Sequence, residues 1–207
     1  MPDDPTLTRR GFLTGLVAAV FAVAHGVEAA SCPPTEDNPQ GPFYVPGAPF
    51  RVGIAPDDEP GERLVVTGRV LSATDCRPLP GAVVDVWHAS DAGAYYGMEG
   101  AGGDDAWRLR GRASTGPAGA YRFETILPGR YPLGPRRMRP RHIHYLVTHP
   151  AHRPLVTQLY FAGDPFLEGD GLVRRSLIVP LASPPAAGGA PKRLAAMFDV
   201  VLAPLKH

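Results

Sequence analysis

The segment RPRHIHYLVTH, residues 139–149, places three histidines and two arginines inside a run that otherwise has strand character. A β-strand alternates its side chains between two faces, so His142 and His144 point the same way and reach one common object, while Ile143, Tyr145 and Val147 take the other face. Neutral imidazole is the commonest protein ligand for a transition metal, and two imidazoles side by side on a rigid strand make half of a four-ligand site. A merely polar strand face is the competing reading of the same pair. The missing donors would come from loops near the same end of the fold, where two tyrosine segments stand out. One is WHASDAGAYYG, offering Tyr95 or Tyr96; the other is LPGRYPLG, where Pro132 biases Tyr131 to an extended backbone. A tyrosine packed over the end of the fold would explain Tyr131 as well as a ligand would.

The elements that must hold these residues are short. β-Branched and aromatic runs separated by turn residues recur at 63–71, 82–89, 120–126, 142–149, 155–162, 172–179 and 197–203, several with period-two alternation. No long segment has a helical period. With 24 Gly and 25 Pro between the runs, the pattern predicts an all-β fold, an antiparallel β-sandwich of immunoglobulin-like or prealbumin-like topology with long loops around the site. The Pro-rich stretch PPTEDNPQGPFYVPGAPF suits neither a helix nor a sheet interior, so residues 31–62 are expected to lie as an extended arm over a sandwich domain of residues 63–207. Trp87 and Tyr121 are expected in the core, and His149 and His152 exposed in a turn beside Pro150. Asp164 is expected to shape the GDP turn.

The chain has 207 residues, 44% hydrophobic and 20% charged, with a formal net charge of +1, enough for one domain with a buried core. Arg136, Arg137, Arg139 and Arg141 are the only dense basic group, which argues against nucleic acid as a partner. Residues 1–30 place Arg9 and Arg10 before an apolar run that ends in small residues, the layout of a twin-arginine export signal cut near Ala29–Ser31. The run from Phe12 to Ala24 is short for a membrane span. The expected location is therefore periplasmic or extracellular, with no membrane span after cleavage. In such an oxidising compartment the two cysteines, Cys32 and Cys76, either pair as a disulfide or remain free thiols.

Five segments then carry a family resemblance: GPFY (41–44), PLPGAVVDVWHASDAGAYYG (78–97), AYRFETILPGRYP (120–132), RPRHIHY (139–145) and TQLYFAGDP (157–165). In this order they resemble the intradiol ring-cleavage dioxygenases, of the protocatechuate 3,4-dioxygenase type and its exported single-domain branch. The resemblance implies non-haem Fe(III) held by Tyr95, with Tyr96 as the adjacent alternative, and by Tyr131, His142 and His144. Phenolate oxygen is a hard, strongly donating ligand suited to ferric iron, whereas two histidines and a carboxylate suit ferrous oxygenases. It also implies a catechol-type substrate, cleaved by O₂ between its two hydroxyl-bearing carbons to a cis,cis-muconate-type product. Tyr131 would give way to the substrate and accept a proton, Arg139 would place a guanidinium beside the ring, and Gln158 would line the same pocket. Phe43 and Tyr44 match the arm that borders the site, and His88 stands where Gln is frequent. Ala94 replaces a frequent Arg, Arg141 a small residue, and the usual Asp is missing from STGPAGAY. Arg136 and Arg137 bear on substrate charge, and a homo-oligomer is compatible with the sequence. A non-catalytic transthyretin-like binding module, or an inactive relative that only binds iron or a phenol, are the rival readings.

Overall fold

The computed structural model describes residues 32–98, 103–184 and 193–205; the export signal expected over residues 1–30 lies outside them. Eleven strands follow one another: β1 Arg63–Ser72, β2 Val83–His88, β3 Arg110–Ser114, β4 Ala120–Ile126, β5 Tyr131–Pro132, β6 Met138–Arg139, β7 His142–His149, β8 His152–Phe161, β9 Ile178–Val179, β10 Leu194–Met197 and β11 Val200–Leu202. One sheet has β1 at its centre, with β4 antiparallel on one side and β10 then β11 parallel on the other. The second runs β3-β2-β7-β8-β9, and β5-β6 form a small separate hairpin. The sandwich is as expected, with antiparallel centres and parallel pairs at its edges, β8 with β9 included. Among the described residues no helix is long and apolar enough to cross a membrane.

Alternation builds the core. Leu64, Val66 and Val70 of β1 and Tyr121 and Phe123 of β4 face Val84 and Val86 of β2, Ile143, Tyr145 and Val147 of β7, and Leu159 and Phe161 of β8. The second sheet is unusual in being buried on both faces. In β2 and the first half of β7 nearly every residue is inaccessible, polar ones included, because the face turned away from the core is covered by the arm. Asn38 N–H bonds the Val156 carbonyl, Thr157 Oγ1 donates to Glu36 O, and Tyr44 OH donates to Asp85 Oδ2 at 3.1 Å.

Several strand limits differ from expectation for local reasons. β3 and the β5-β6 hairpin were not predicted: RGRAS is too polar to read as a strand, and two-residue strands leave no period. The run 172–179 is mostly turn and a single 3-10 turn, since Asp170 Oδ1 caps the Leu172 N–H and only Ile178–Val179 pairs. The predicted strand 197–203 holds only β11 and the last residue of β10, which starts earlier at Leu194; between them Asp199 Oδ1 takes the Arg69 N–H and Phe198 O takes the Tyr121 hydroxyl. His152 is buried rather than exposed, its Nδ1 3.0 Å from His149 Nδ1.

Cys32 and Cys76 form a disulfide that closes a sequence separation of 44 and ties the start of the arm to the β1–β2 turn. Loop-closure entropy for a ring of that size corresponds to about 4 kcal/mol. Cys76→Ser is expected to lower the unfolding free energy by roughly that amount in urea titrations, and an unchanged midpoint would show that the arm is held without the bond.

Candidate active site

The functional residues sit on the outer face of the five-stranded sheet, beneath the arm, rather than at an end of the sandwich. Strand register sets them in rows: Trp87 pairs with His144, which pairs with Gln158, and His142 pairs with Tyr160. Period two therefore places His142, His144, Gln158 and Tyr160 together, with Trp87 stacked on His144 at 4.9 Å between ring centroids and 6° between planes. Trp87 is buried, as expected, but on this face and not in the sandwich core.

The tyrosines come from two loops that meet through backbone. Ser90 O accepts both the Gly93 and the Gly129 N–H at 2.9 Å, and the Ser90 N–H bonds Ala94 O at 2.7 Å, so one turn presents Tyr95 while anchoring the approach to Tyr131. Close approach makes glycine necessary here: a Cβ on Gly93 would lie 2.2 Å from Arg130 O, and one on Gly129 would lie 2.2 Å from Asp91 O. The β5-β6 hairpin then pairs Tyr131 with Arg139. Of the two candidate tyrosines in the first loop, Tyr95 joins the cluster, its ring 5.7 Å from that of Tyr131 and 6.2 Å from that of His144. Tyr96 turns away and donates to Glu59 Oε1 at 3.1 Å.

Four heteroatoms thus converge. His142 donates from Nδ1 to Pro140 O at 2.7 Å, which leaves its Nε2 lone pair free; that atom lies 3.2 Å from His144 Nε2 and 3.4 Å from the Tyr131 hydroxyl. The Tyr95 hydroxyl and His144 Nδ1 are buried without a hydrogen-bond partner. Burial, reinforced by the Arg139 charge, pushes His142 down to about 3, and burial together with His142 drives His144 well below the usual imidazole range. Burial, then the neighbouring Tyr131, raises Tyr95 far above an ordinary phenol, and burial raises Tyr131 against the opposing Arg139 charge. Buried polar atoms normally find partners. A cation among these neutral donors would supply one to the Tyr95 oxygen and would reverse the phenol shifts. Ligands bonded at roughly 2.1 Å and at right angles lie roughly 3 Å apart, which the two Nε2 atoms nearly satisfy.

Around the cluster, Arg139 is buried; its Nη2 donates to Gln158 Oε1 at 2.7 Å and to the Tyr160 hydroxyl at 3.3 Å, and its Nε meets Asp170 Oδ2 at 2.5 Å. Gln158 Nε2 bonds Pro39 O at 2.8 Å. The arm closes the site from above: Phe43 stacks on Tyr95 at 4.0 Å, Tyr44 packs on Trp87, and a Cβ on Gly41 would touch the His144 ring at 3.4 Å. Arg110, fully buried, bonds Tyr96 O and Phe43 O and so ties the Tyr95 loop to the arm. His88 is buried, with Nδ1 on Ala89 O and Nε2 on Thr125 Oγ1. Asp164 does shape its turn through the Phe166 N–H, and its Oδ2 also accepts from Arg130 and from the Arg141 N–H. Sequence reading missed Arg110 and Asp170. The first lies in a polar strand without a pattern and the second in a loop that reads as turn, so neither offered a signal.

The profile of the family described as Dioxygenase matches residues 40–204. This chain belongs to the intradiol dioxygenases. Chlorocatechol 1,2-dioxygenase of Rhodococcus opacus is 38% identical over 163 residues, covering 69% of this chain and 63% of that one. Catechol 1,2-dioxygenase of Acinetobacter baylyi is 38% identical over 164 residues, 71% and 51% respectively. The chain thus spans between half and two thirds of the length of these curated relatives. Among solved structures, the dioxygenase domain of a dioxygenase carbohydrate-binding protein fusion from Streptomyces sp. SirexAA-E matches with a TM-score of 0.70 and 35% identity, covering 84% of this chain and 100% of that one.

Three buried histidines are expected to make the metal-free protein of this family member acid-labile. His88 is lowered by burial to about 4 and His142 to about 3, with His144 also depressed. Their folded pKa values lie below the unfolded value, so unfolding takes up protons, and the stability present above pH 6.5 is lost as pH falls toward 4 and below. His88 alone accounts for about 3 kcal/mol between pH 7 and pH 4. Urea titrations at the two pH values measure the loss, and His88→Gln is expected to reduce it.

Proposed function

We propose that this protein is a non-haem Fe(III) intradiol dioxygenase that cleaves a catechol-type ring between its hydroxyl-bearing carbons, with O₂, to a cis,cis-muconate-type product. The observation that carries the reading is the convergence of Tyr95, Tyr131, His142 and His144 on one buried point with polar atoms left unbonded. Their chemistry fits the metal. Two phenols and two imidazoles form a hard donor set; both cysteines are occupied in the disulfide, and no group of three or more His, Cys, Asp or Glu occurs among the described residues to make the ferrous triad instead. Ferric iron so held would supply a Lewis acid that binds both catechol oxygens and makes the ring carbon reactive toward O₂.

The chain's own groups provide the rest. The Pro140 carbonyl fixes the His142 tautomer, so that Nε2 faces the cluster. Tyr131, held as phenolate once a cation binds, would accept a proton from a catechol hydroxyl at its own oxygen. Arg139, 6.0 Å from the Tyr131 ring, presents positive charge where negative charge builds on the substrate. Phe43 packs on Tyr95 and Tyr44 on Trp87, which stacks on His144, and together they exclude water from the cluster. The catechol-type substrate is supported by the names of the relatives. Action outside the cytoplasm is part of the proposal, supported by the twin arginines at Arg9 and Arg10 and by the disulfide.

Oxygen uptake and muconate absorbance on addition of catechol test the reaction. Tyr131→Phe is expected to shift the visible spectrum and to slow turnover by at least about a hundredfold, the range for a lost proton-transfer group. An unchanged spectrum and rate would mean that Tyr131 is not a ligand.

A further inference from the structure

We propose that Asp170 is the positioning residue for Arg139, turning a mobile guanidinium into a fixed N–H donor aimed at the substrate. The proposal rests on the catechol-cleaving reading of the site. The Arg139 and Asp170 side chains are each only 7% exposed and meet at 2.5 Å through Nε and Oδ2. With Nη2 committed to Gln158 and Tyr160, and Nε held against Asp170 as an ion pair rather than a hydrogen bond, Nη1 makes no protein hydrogen bond among the described residues, and the guanidinium stands over the Tyr131 ring.

The carboxylate is itself fixed. Its other oxygen takes the Leu172 N–H at 2.9 Å, and the Asp170 carbonyl takes the Val173 N–H at 3.1 Å. The same loop is pinned at its start by Asp164, which grips Arg130 and the Arg141 backbone, the immediate neighbours of Tyr131 and His142. One loop thus reaches both loop-borne sides of the cluster through two buried carboxylates.

Charge decides what this arrangement does. A buried guanidinium requires a counter-charge, and Asp170 provides it. The pair is close to neutral at long range, so it adds little to the attraction of a catechol; what remains is a directed, charge-assisted N–H at Nη1. Such a donor acts where charge develops in the transition state, and a displacement of about 1 Å is enough to weaken it severely. Asp170 should therefore govern kcat more than KM.

The test compares Asp170→Asn, Asp170→Glu, Arg139→Gln and the Arg139→Gln/Asp170→Asn double variant with the full wild-type protein, using catechol as substrate. Asp170→Asn is expected to lower kcat roughly 10- to 100-fold, the scale of lost supporting partners at metal sites, with KM, iron content and visible spectrum unchanged. Asp170→Glu, which keeps the charge, should recover part of the loss, and the double variant should be no slower than Arg139→Gln. A crystal structure of Asp170→Asn should show Arg139 Nη1 displaced. A kcat for Asp170→Asn within a few-fold of wild type, a double-variant loss equal to the product of the single losses, or an unmoved Arg139 would each overturn the proposal. A wild-type protein without iron or catechol turnover would instead overturn the reading on which it rests.

Discussion

His144→Ala is expected to lose most of its iron and to reduce catechol turnover by more than about a hundredfold, beyond the 10- to 100-fold typical of partners outside the ligand set. His144 meets His142 Nε2 at 3.2 Å and is clamped between Trp87 and the arm at Gly41, which fixes its donor at the cluster. The effect should be specific to the cluster. His149 lies on the same strand but far along it, in the turn with His152, and His149→Ala should leave iron content and rate within about twofold of wild type, as for an ordinary peripheral substitution. Metal analysis and steady-state kinetics on both variants give the comparison. Full iron and full turnover in His144→Ala would remove this residue from the ligand set.

Gly93→Ala should be damaging on two counts at the junction of the two tyrosine loops. Gly93 has φ +80°, where an L side chain is strained by about 1–2 kcal/mol. Its Cβ would also overlap Arg130 O at 2.2 Å and crowd Tyr131 Cβ at 3.1 Å. Overpacking of this kind costs about 1–3 kcal/mol, so the expected loss is roughly 2–5 kcal/mol. Because the overlap forces the Tyr95 and Tyr131 loops apart, iron binding should weaken as well. Gly81→Ala isolates the first effect, since φ is +75° there but nothing lies within 4 Å of the added atom. Denaturant titrations should show a clearly smaller loss for Gly81→Ala, about 1–2 kcal/mol. Equal losses at the two positions would mean that the loop contact is not tight.

The contrast between these residues shows what a sequence can convey. His142 and His144 were legible because strand parity is a local rule, and the same rule put Ile143, Tyr145 and Val147 into the core. Gln158 joined them through its own parity and the resemblance. The choice between Tyr95 and Tyr96 was not legible, because a loop has no period; it is made by Ser90 and Gly129 on one side and by Glu59 on the other. The double burial of β2 and β7 was also hidden, since it depends on an arm whose Pro-rich sequence says only that it is extended. Asp170 and Arg110 emerge only once distant segments are packed together.

The central claim is that two phenols and two imidazoles, gathered in a buried cluster in which the Tyr95 hydroxyl has no hydrogen-bond partner, hold ferric iron. Its most direct test is iron content together with the visible spectrum of the protein purified from iron-replete cells. The account predicts about one iron per chain and a red colour from tyrosinate-to-iron charge transfer, lost or shifted in Tyr95→Phe and Tyr131→Phe. A colourless protein without iron, able to fold and keep its disulfide, would contradict it.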